Sequence, residues 1–415
     1  MTIRKWLAAA GICAMAAGVI AGVALNTDFG PLLLGIRAEF FLFALTLLGV
    51  ALFHDRTLEV ALTGLAAILS LKLLTDPAFE LGHHMLEEAS MLTNLLGLLL
   101  GFAVLARHFE ESHVPEILPR FLPDDWKGGF ALLAMVFVLS SFLDNIAAAM
   151  IGGTIALHVF KRRLDIGYLA AIVAASNAGG AGSVVGDTTT TIMWIEGVAA
   201  FDVLHAYVAA IPTLLVIGVF ASIQQHAYQP IQRDEVGDHE VQWPKLIAVG
   251  LILIGAIATN ILLDFPAAGV WIAIVASAFF VSTDWKVVPA SLKGTLFLLT
   301  LVTCASLMPV DTLPAASWQT AFGLGWVSAV FDNIPLTKLA LDQGGYDWGM
   351  LAFTVGFGGS IMWFGSSAGV ALSNIFPEAR SVVDWVKRGW FVPVGYAVGF
   401  FVLLWTLGWS PLAID

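Results

Sequence analysis

The sequence has few charged residues and almost no cysteine. Only 12% of its 415 residues are Asp, Glu, Lys or Arg, and 59% are hydrophobic, whereas a soluble domain carries about 25% charged residues. This composition excludes an ordinary soluble domain. The two cysteines, Cys13 and Cys304, both lie in apolar runs and indicate neither a disulfide framework nor a metal site. The 19 Lys and Arg residues are scattered, which argues against a nucleic-acid partner.

Apolar runs recur along the whole length of the chain instead. Each is about 17–25 residues long, the length at which a helix spans a bilayer. The pattern predicts an all-α polytopic membrane protein with about eleven transmembrane helices, two of them interrupted, in the lipid bilayer of the bacterial cytoplasmic (inner) membrane. The predicted spans are residues 6–25, 31–53, 57–74, 91–107, 165–198, 203–224, 244–262, 266–282, 292–309, 348–373 and 389–409.

Two further apolar stretches, at about 126–159 and 316–341, are broken midway by polar residues. If each enters and leaves on one side of the membrane, all basic residues except Arg37, Lys72 and Lys338 lie in the cytoplasm, as the positive-inside rule requires. The charge distribution therefore predicts two re-entrant hairpins of opposite orientation, a cytoplasmic N-terminus and a periplasmic C-terminus. The first apolar run also fits a cleaved signal peptide, although this topology is consistent with its retention as a span.

The two hairpins belong to an internal repeat. The segment SSFLDNIAAAM at 140–150 parallels SAVFDNIPLTK at 328–338, and each is followed by a glycine pair and a later single glycine at the same spacing. Hairpins with Asp-Asn tips, each followed by a broken helix, are typical of secondary transporters with inverted repeats. The glycines predicted to unwind the helices are Gly179, Gly180 and Gly186 in the first half and Gly358, Gly359 and Gly365 in the second.

The segment SNAGGAGSVVGDTTTTIMW, at 176–194, predicts an ion site at membrane depth. Irregular backbone is tolerated at that depth only where protein or a water-filled cavity satisfies its hydrogen-bonding groups. Such backbone directs carbonyl groups and helix ends toward one central point. Asp187 supplies charge and caps the resumed helix, and the threonines supply hydroxyl oxygens. Structural alternatives are glycines that only pack helices closely, aspartates that only stabilise hairpin tips, and threonines, Thr190 and Thr191 above all, that bond back to their own helix.

At these residues the sequence resembles the ion-transporter superfamily (ArsB/NhaD-like permeases), and within it the NhaD-type sodium/proton antiporters. The motifs are LDNIAAAMIGG, the segment at 176–194, VFDNIPLTKLA and GFGGSIMWFGSSAGVAL. The resemblance implies a transport domain that moves like an elevator against a scaffold, usually in a homodimer. The ion and substrate site that it implies comprises Asp144, Asn145, Asn177, Asp187, Thr188, Thr189, Asp332, Asn333, Ser366 and Ser367, with Na⁺ at Asp144, Asn145, Asp187 and Asp332.

The leading functional hypothesis is the exchange of Na⁺ or Li⁺ for protons, without enzymatic activity and with no cofactor besides the transported ions. Na⁺ is a hard cation that prefers oxygen ligands, and carboxylates that bind either Na⁺ or a proton couple the two fluxes by competition. The alternative is a sodium-coupled transporter of an organic anion (a dicarboxylate or citrate) or an inorganic one, although negative hairpin tips repel an anion. Lys338, after the second tip, is then either a tethered cation or an anion ligand.

The predicted organisation alternates scaffold and core segments. Scaffold helices occupy residues 1–110 and 244–312, and a solvated cytoplasmic linker occupies residues 226–243. The first repeat core covers residues 111–225, with its hairpin at 126–159 and its broken helix at 165–198. The second repeat core covers residues 313–415, with its hairpin at 316–341, its broken helix at 348–373 and the last helix.

Overall fold

The computed structural model describes residues 32–33, 36–53, 56–232 and 240–412, and these are almost entirely helical. The predicted span 6–25 and part of the predicted linker lie outside the described residues. Two short antiparallel strands precede the first described helix, so the predicted span 31–53 is helical only from Ala38. The elements are β1 Leu32–Leu33, β2 Ile36–Arg37, α1 Ala38–Leu52, α2 Thr57–Thr75, α3 Leu81–Glu110, α4 Val114–Ile117, α5 Trp126–Ser140, α6 Asn145–Val159, α7 Ile166–Ala181, α8 Thr188–Ile195, α9 Ala200–Leu204, α10 Ala206–Tyr228, α11 Trp243–Leu263, α12 Pro266–Ser277, α13 Val287–Ser306, α14 Trp318–Ser328, α15 Asn333–Gln343, α16 Trp348–Gly358, α17 Ser367–Ile375, α18 Val382–Arg388 and α19 Phe391–Leu407, with 3₁₀ turns at Leu118–Phe121, Val310–Thr312 and Pro377–Arg380.

Several helices are long and apolar enough to cross a membrane, as expected for a polytopic membrane protein. A sixth candidate arises if α18 and α19, which meet at a bend of 57°, form one span. The predicted number of eleven is not reached by this criterion within the described residues, because many of the other apolar helices are too short to cross alone. The five helical stretches that meet the criterion are Thr57–Thr75, Leu81–Glu110, Ala200–Tyr228, Trp243–Leu263 and Val287–Ser306.

Helix α3 begins ten residues earlier than the predicted span 91–107. Its first turns contain the segment HHMLEE at 83–88, which the hydropathy pattern assigns to an external loop. His83 pairs with Glu87 one turn later at 3.1 Å, and both side chains are exposed. The segment is helical because polar residues lower hydropathy without preventing helix formation, and pairs at i,i+4 stabilise the helix.

Helices occur in pairs at both predicted hairpins, and both predicted broken helices are interrupted. Helices α5 and α6 are joined by the turn at 141–144, and α14 and α15 by the turn at 329–332. Helix α7 stops before the irregular segment 182–187, and α16 before the segment 359–366. The polar and glycine-rich tracts therefore end these helices where the sequence predicts.

The helices pack in two groups. Helices α1–α3 pack with α11–α13, and the hairpins and broken helices pack with one another and with α10 and α19. Contacts between the groups are made chiefly by α13 with α15 and by α3 with α8. Within the second group, α8 packs on α15 and α17 packs on α6, so each resumed helix lies against the hairpin of the other half.

Candidate functional site

A hydrogen-bonded network joins the first hairpin to both broken helices. The Asn145 side chain begins α6 and donates from Nδ2 to Asn177 Oδ1 and to Asp187 Oδ2, each at 3.0 Å. Asn177 in turn donates from Nδ2 to Ser360 Oγ at 2.9 Å and to Ser366 Oγ at 3.2 Å. All five side chains are buried. The structure thus joins Asn145, Asn177, Asp187 and Ser366, four of the residues predicted for the site, across a sequence separation of more than 180 residues.

Asp187 is both the N-cap of α8 and a member of this network. Its Oδ1 accepts a hydrogen bond from the Thr189 backbone N–H at 3.0 Å, which confirms the predicted cap. Its other carboxylate oxygen faces Asn145. Because Asp187 is only 2% exposed, the carboxylate has few other partners, and a positive ligand at this point would interact with it in a low-dielectric environment.

The four threonines of the segment divide into two pairs. Thr190 Oγ1 donates to the carbonyls of Ser183 and Asp187, and Thr191 Oγ1 donates to those of Val184 and Asp187. The alternative that Thr190 and Thr191 bond back to their own helix is confirmed, and both also hold the irregular segment. Thr188 and Thr189 are buried as well. Thr189 Oγ1 lies near the Asp187 carboxylate but makes no well-formed hydrogen bond to any described residue.

The second half of the site is less completely bonded. Asp332 caps α15 by accepting from the Ile334 backbone N–H at 3.0 Å, and Ser366 caps α17 by accepting from Gly369 at 3.3 Å. Asn333 is 2% exposed, and its Nδ2 has no partner among the described residues.

Two further predicted residues are partly exposed, Asp144 at the tip of the first hairpin and Ser367 at the start of α17. No side-chain hydrogen bond joins them to the Asn145 network in the described part of the chain.

Three of the six glycines predicted to unwind the helices lie inside helices instead. Gly179 and Gly180 belong to α7, and Gly358 belongs to α16. A Cβ at Gly179 would lie 2.0 Å from the Phe137 carbonyl oxygen, and one at Gly358 would lie 2.2 Å from the carbonyl oxygen of Gly325. The prediction of unwinding was therefore wrong at these positions. Gly179 and Gly358 admit the backbone of a neighbouring helix, and Gly180 admits the Gly186 carbonyl of the interruption, 2.5 Å from its built Cβ. Gly186, Gly359 and Gly365 lie outside the helices, in the interruptions.

The site carries negative charge without a basic partner. Asp187 lies close enough to Asp144 and to Asp332 for the carboxylates to repel one another. In the described part of the chain, no Lys, Arg or His forms an ion pair with any of the three. Carboxylate, amide and hydroxyl oxygens are the ligands that hard cations prefer. The donor set therefore fits a cation better than an anion.

Lys338 lies outside this network, in a cluster of its own. It is 3% exposed and its Nζ lies 2.8 Å from Asp342, 3.0 Å from Glu196 and 3.3 Å from Glu88. The lysine is therefore already paired with protein carboxylates. These three partners and Ser360 were not predicted from the sequence. Of the four, only Ser360 lies next to a predicted feature, because it directly follows the second glycine pair.

The chain is similar to known transporter proteins. A family model described as CitMHS, citrate transporter, matches residues 8–375. Sodium/proton antiporter 1 of Arabidopsis thaliana is 25% identical over 377 residues, covering 77% of this chain and 62% of that protein, so the chain spans less than two thirds of that relative. Two proteins named Na⁺/H⁺ antiporter NhaD are also similar. The one from Vibrio cholerae is 24% identical, covering 77% of this chain and 78% of its own length, and the one from Alkalimonas amylolytica is 26% identical, covering 80% of each.

The family match extends over most of the chain and includes both hairpins and both broken helices. The matches agree with a transmembrane ion transporter and point away from an enzyme. The resemblance to the ion-transporter superfamily and to NhaD proteins is confirmed. The chain is a secondary transporter that belongs to the CitMHS citrate transporter family.

Proposed function

We propose that this transporter exchanges Na⁺ or Li⁺ for protons, with the buried carboxylate of Asp187 as the group for which the two ions compete. The observation that carries this proposal is the network in which Asp187 Oδ2 meets Asn145, next to the buried hydroxyl of Thr189. Burial disfavours a carboxylate that is charged and unpaired. A buried carboxylate therefore tends to bind a proton or a metal cation. Asp144 and Asp332 add two further carboxylates at the hairpin tips.

The names of the antiporter relatives support the same function. A sodium-coupled anion transporter is the second candidate, because the matching family model is described as a citrate transporter. The charge of the site favours the first candidate, since three carboxylates without a basic partner would repel a polyanion such as citrate. Lys338 does not offset this charge, because three other carboxylates already pair with it.

Purified protein in proteoliposomes with an internal pH dye separates the candidates. Addition of NaCl or LiCl outside is expected to drive protons out of the vesicles, because the inward cation gradient exchanges for internal protons. KCl is the ionic-strength control. Dicarboxylate or citrate uptake that depends on Na⁺, without proton exchange by Na⁺ alone, would contradict the antiporter proposal and favour the anion transporter.

The short helices support re-entrant hairpins. Helices α5 and α6 have 15 residues each, so each is about 22 Å long, less than the ~30 Å hydrocarbon core. Helices α14 and α15 are shorter still, at 11 residues. We infer that the two hairpins enter from opposite sides and that the two halves form inverted repeats, with the N-terminus in the cytoplasm and the C-terminus in the periplasm.

The two packing groups support a division into a scaffold and a moving core. Scaffold helices would come from residues 1–110 and 244–312, and the core from residues 111–225 and 313–415, which contain both hairpins and both broken helices. An elevator motion would slide α15 and α8 along α13 and α3, the contacts that join the groups. The protein is expected to be a homodimer in the bacterial inner membrane, in which the scaffolds associate.

Cysteine labelling tests the inverted topology. In a background with Cys13→Ser and Cys304→Ala, Glu240→Cys should react with a membrane-impermeant maleimide only after the membrane is opened, and Ala315→Cys should react in intact cells. Both positions are exposed, so access depends on the side of the membrane alone. Labelling of both from the same side would contradict the inverted arrangement.

A further inference from the structure

The two halves of the site differ at one position. Asn177 lies two residues before the glycine pair of the first half. In the second half, the residue two positions before the glycine pair is Gly356. In the hairpin repeat, Asn333 matches Asn145. Asn145 is satisfied by Asn177 and Asp187, whereas Asn333 Nδ2 has no partner. The second half therefore has no side chain at the position that Asn177 fills in the first half.

The space left at Gly356 borders the anionic part of the site. A Cβ built there would lie 3.5 Å from Asp187 Oδ2, 3.5 Å from Thr189 Oγ1 and 3.6 Å from the Ala181 Cβ. Two polar oxygens and one methyl group therefore converge on a point that a side chain could occupy without a clash. One of these oxygens, Thr189 Oγ1, is fully buried and lacks a well-formed hydrogen bond. A hydroxyl beside a carboxylate still has oxygen lone pairs to offer, so this oxygen can also ligate a cation.

Other close glycines of the repeat do not have this property. Gly179 and Gly358 face backbone carbonyls at 2.0 and 2.2 Å, and packing alone explains why they are glycines. Around Gly356 the nearest atoms are at ordinary van der Waals distance, so close packing does not require glycine at this position. The neighbours instead are polar side-chain oxygens on α8, the helix capped by Asp187.

We propose that the space at Gly356, bounded by Asp187 Oδ2 and Thr189 Oγ1, holds the transported cation, and that the missing side chain at residue 356 sets the size of the ion. This inference rests on the proposed function and adds to it a residue that determines selectivity. Gly356 contributes room, Asp187 contributes charge, and Thr189 contributes a neutral oxygen. A methyl group at residue 356 narrows the space and should disfavour the larger of two alkali cations.

The test compares Gly356→Ala with the wild-type protein, using ²²Na⁺ binding to purified protein and cation-driven proton flux. Because one methyl group in a fitted site changes recognition by about tenfold, Gly356→Ala should weaken the apparent Na⁺ affinity about tenfold and the Li⁺ affinity much less. Thr189→Val, which replaces the hydroxyl with a methyl group of similar size, should weaken both ions to a similar extent. Gly323→Ala, on α14, is the matched control because its Cβ would meet no atom within 4 Å.

Folding of the variants is checked by size-exclusion chromatography and thermal unfolding, and Gly356→Ala should match the wild type because no neighbour must move. If the wild-type protein exchanges Na⁺ for protons while Gly356→Ala retains the wild-type Na⁺ affinity and the wild-type ratio of Na⁺ to Li⁺, the inference about Gly356 is overturned and the proposed function stands. If the wild-type protein neither binds ²²Na⁺ nor exchanges Na⁺ for protons, the proposed function fails, and the inference that rests on it fails too.

Discussion

Asp187→Asn is expected to reduce Na⁺-driven proton exchange in proteoliposomes to the level of protein-free vesicles. An amide cannot release a proton at any accessible pH and carries no charge for a cation, so the competition that couples the two ions is lost. The cap should survive, because Asn and Asp cap helices almost equally well, and the amide oxygen can still accept from the Thr189 N–H. Only the acceptor for Asn145 Nδ2 is lost, at a cost of about 1 kcal/mol.

Asp187→Glu separates a ligand from a cap. A glutamate retains the charge and the titratable proton, and should keep some exchange with an apparent Na⁺ affinity and a pH dependence that shift together. It is a poor N-cap residue, so a purely structural Asp187 predicts that Asn works better than Glu. Faster Na⁺-driven proton release with Asn than with Glu would rule out the ligand role.

Asp125→Asn is the matched control for this comparison. Asp125 caps α5 in the same way, because its carboxylate accepts a hydrogen bond from the backbone N–H two residues later at 2.9 Å, and it lies on the surface outside the site. The substitution removes the same charge and retains the same cap. It should leave both thermal stability and exchange near wild-type values, so a loss at Asp187 alone is assigned to the site.

Lys338→Met is expected to cause the largest loss of stability. It leaves Glu88, Glu196 and Asp342 around an apolar side chain, three carboxylates that converge on the Lys338 Nζ within 2.8–3.3 Å. Breaking a buried ion pair by removing one partner costs about 3–5 kcal/mol, because the remaining charge is buried without compensation. The melting temperature in detergent, followed by near-UV circular dichroism, measures the effect.

The partners of Lys338 supply the controls. Lys338→Arg keeps the charge and should recover part of the stability. Glu88→Gln removes only the pair that joins α15 to α3, and should cost much less because Glu196 and Asp342 remain. If Lys338→Met melts at the wild-type temperature but alters which ions are transported, the cluster is not structural and Lys338 belongs to the transport pathway.

Local features of the sequence were sufficient to predict where the helices are interrupted. Asp-Asn and glycine tracts raise the free energy of a regular helix, so apolar runs that contain them tend to be interrupted. The structure has its interruptions at these tracts, as turns at 141–144 and 329–332 and as breaks at 182–187 and 359–366. The cap at Asp187 and the back-bonding of Thr190 and Thr191 were predictable for the same reason, since both depend on atoms within seven residues.

The role of the glycine pairs was not predictable, because it depends on a second helix. Gly179 is helical, and its reason for being glycine is the Phe137 carbonyl on α5, 42 residues earlier in the chain. A glycine that unwinds a helix and a glycine that admits a neighbouring backbone look alike in sequence. Only the packing of α5 on α7 distinguishes them.

The sequence by itself determined that this is a helical membrane transporter, that it contains a repeat, and that carboxylates and small polar residues lie at the interruptions. The helical membrane class and the interruptions follow from composition, run length and local backbone chemistry, which act over a few residues, whereas the repeat and the transport function follow from the matching motifs. Only the tertiary structure decided that Asn177 bonds to Ser366, that Lys338 is neutralised by Glu88, and that the space at Gly356 borders Asp187. Each of these contacts joins residues more than 140 positions apart in the sequence, and it depends on how the two halves of the core and the neighbouring helices pack against each other.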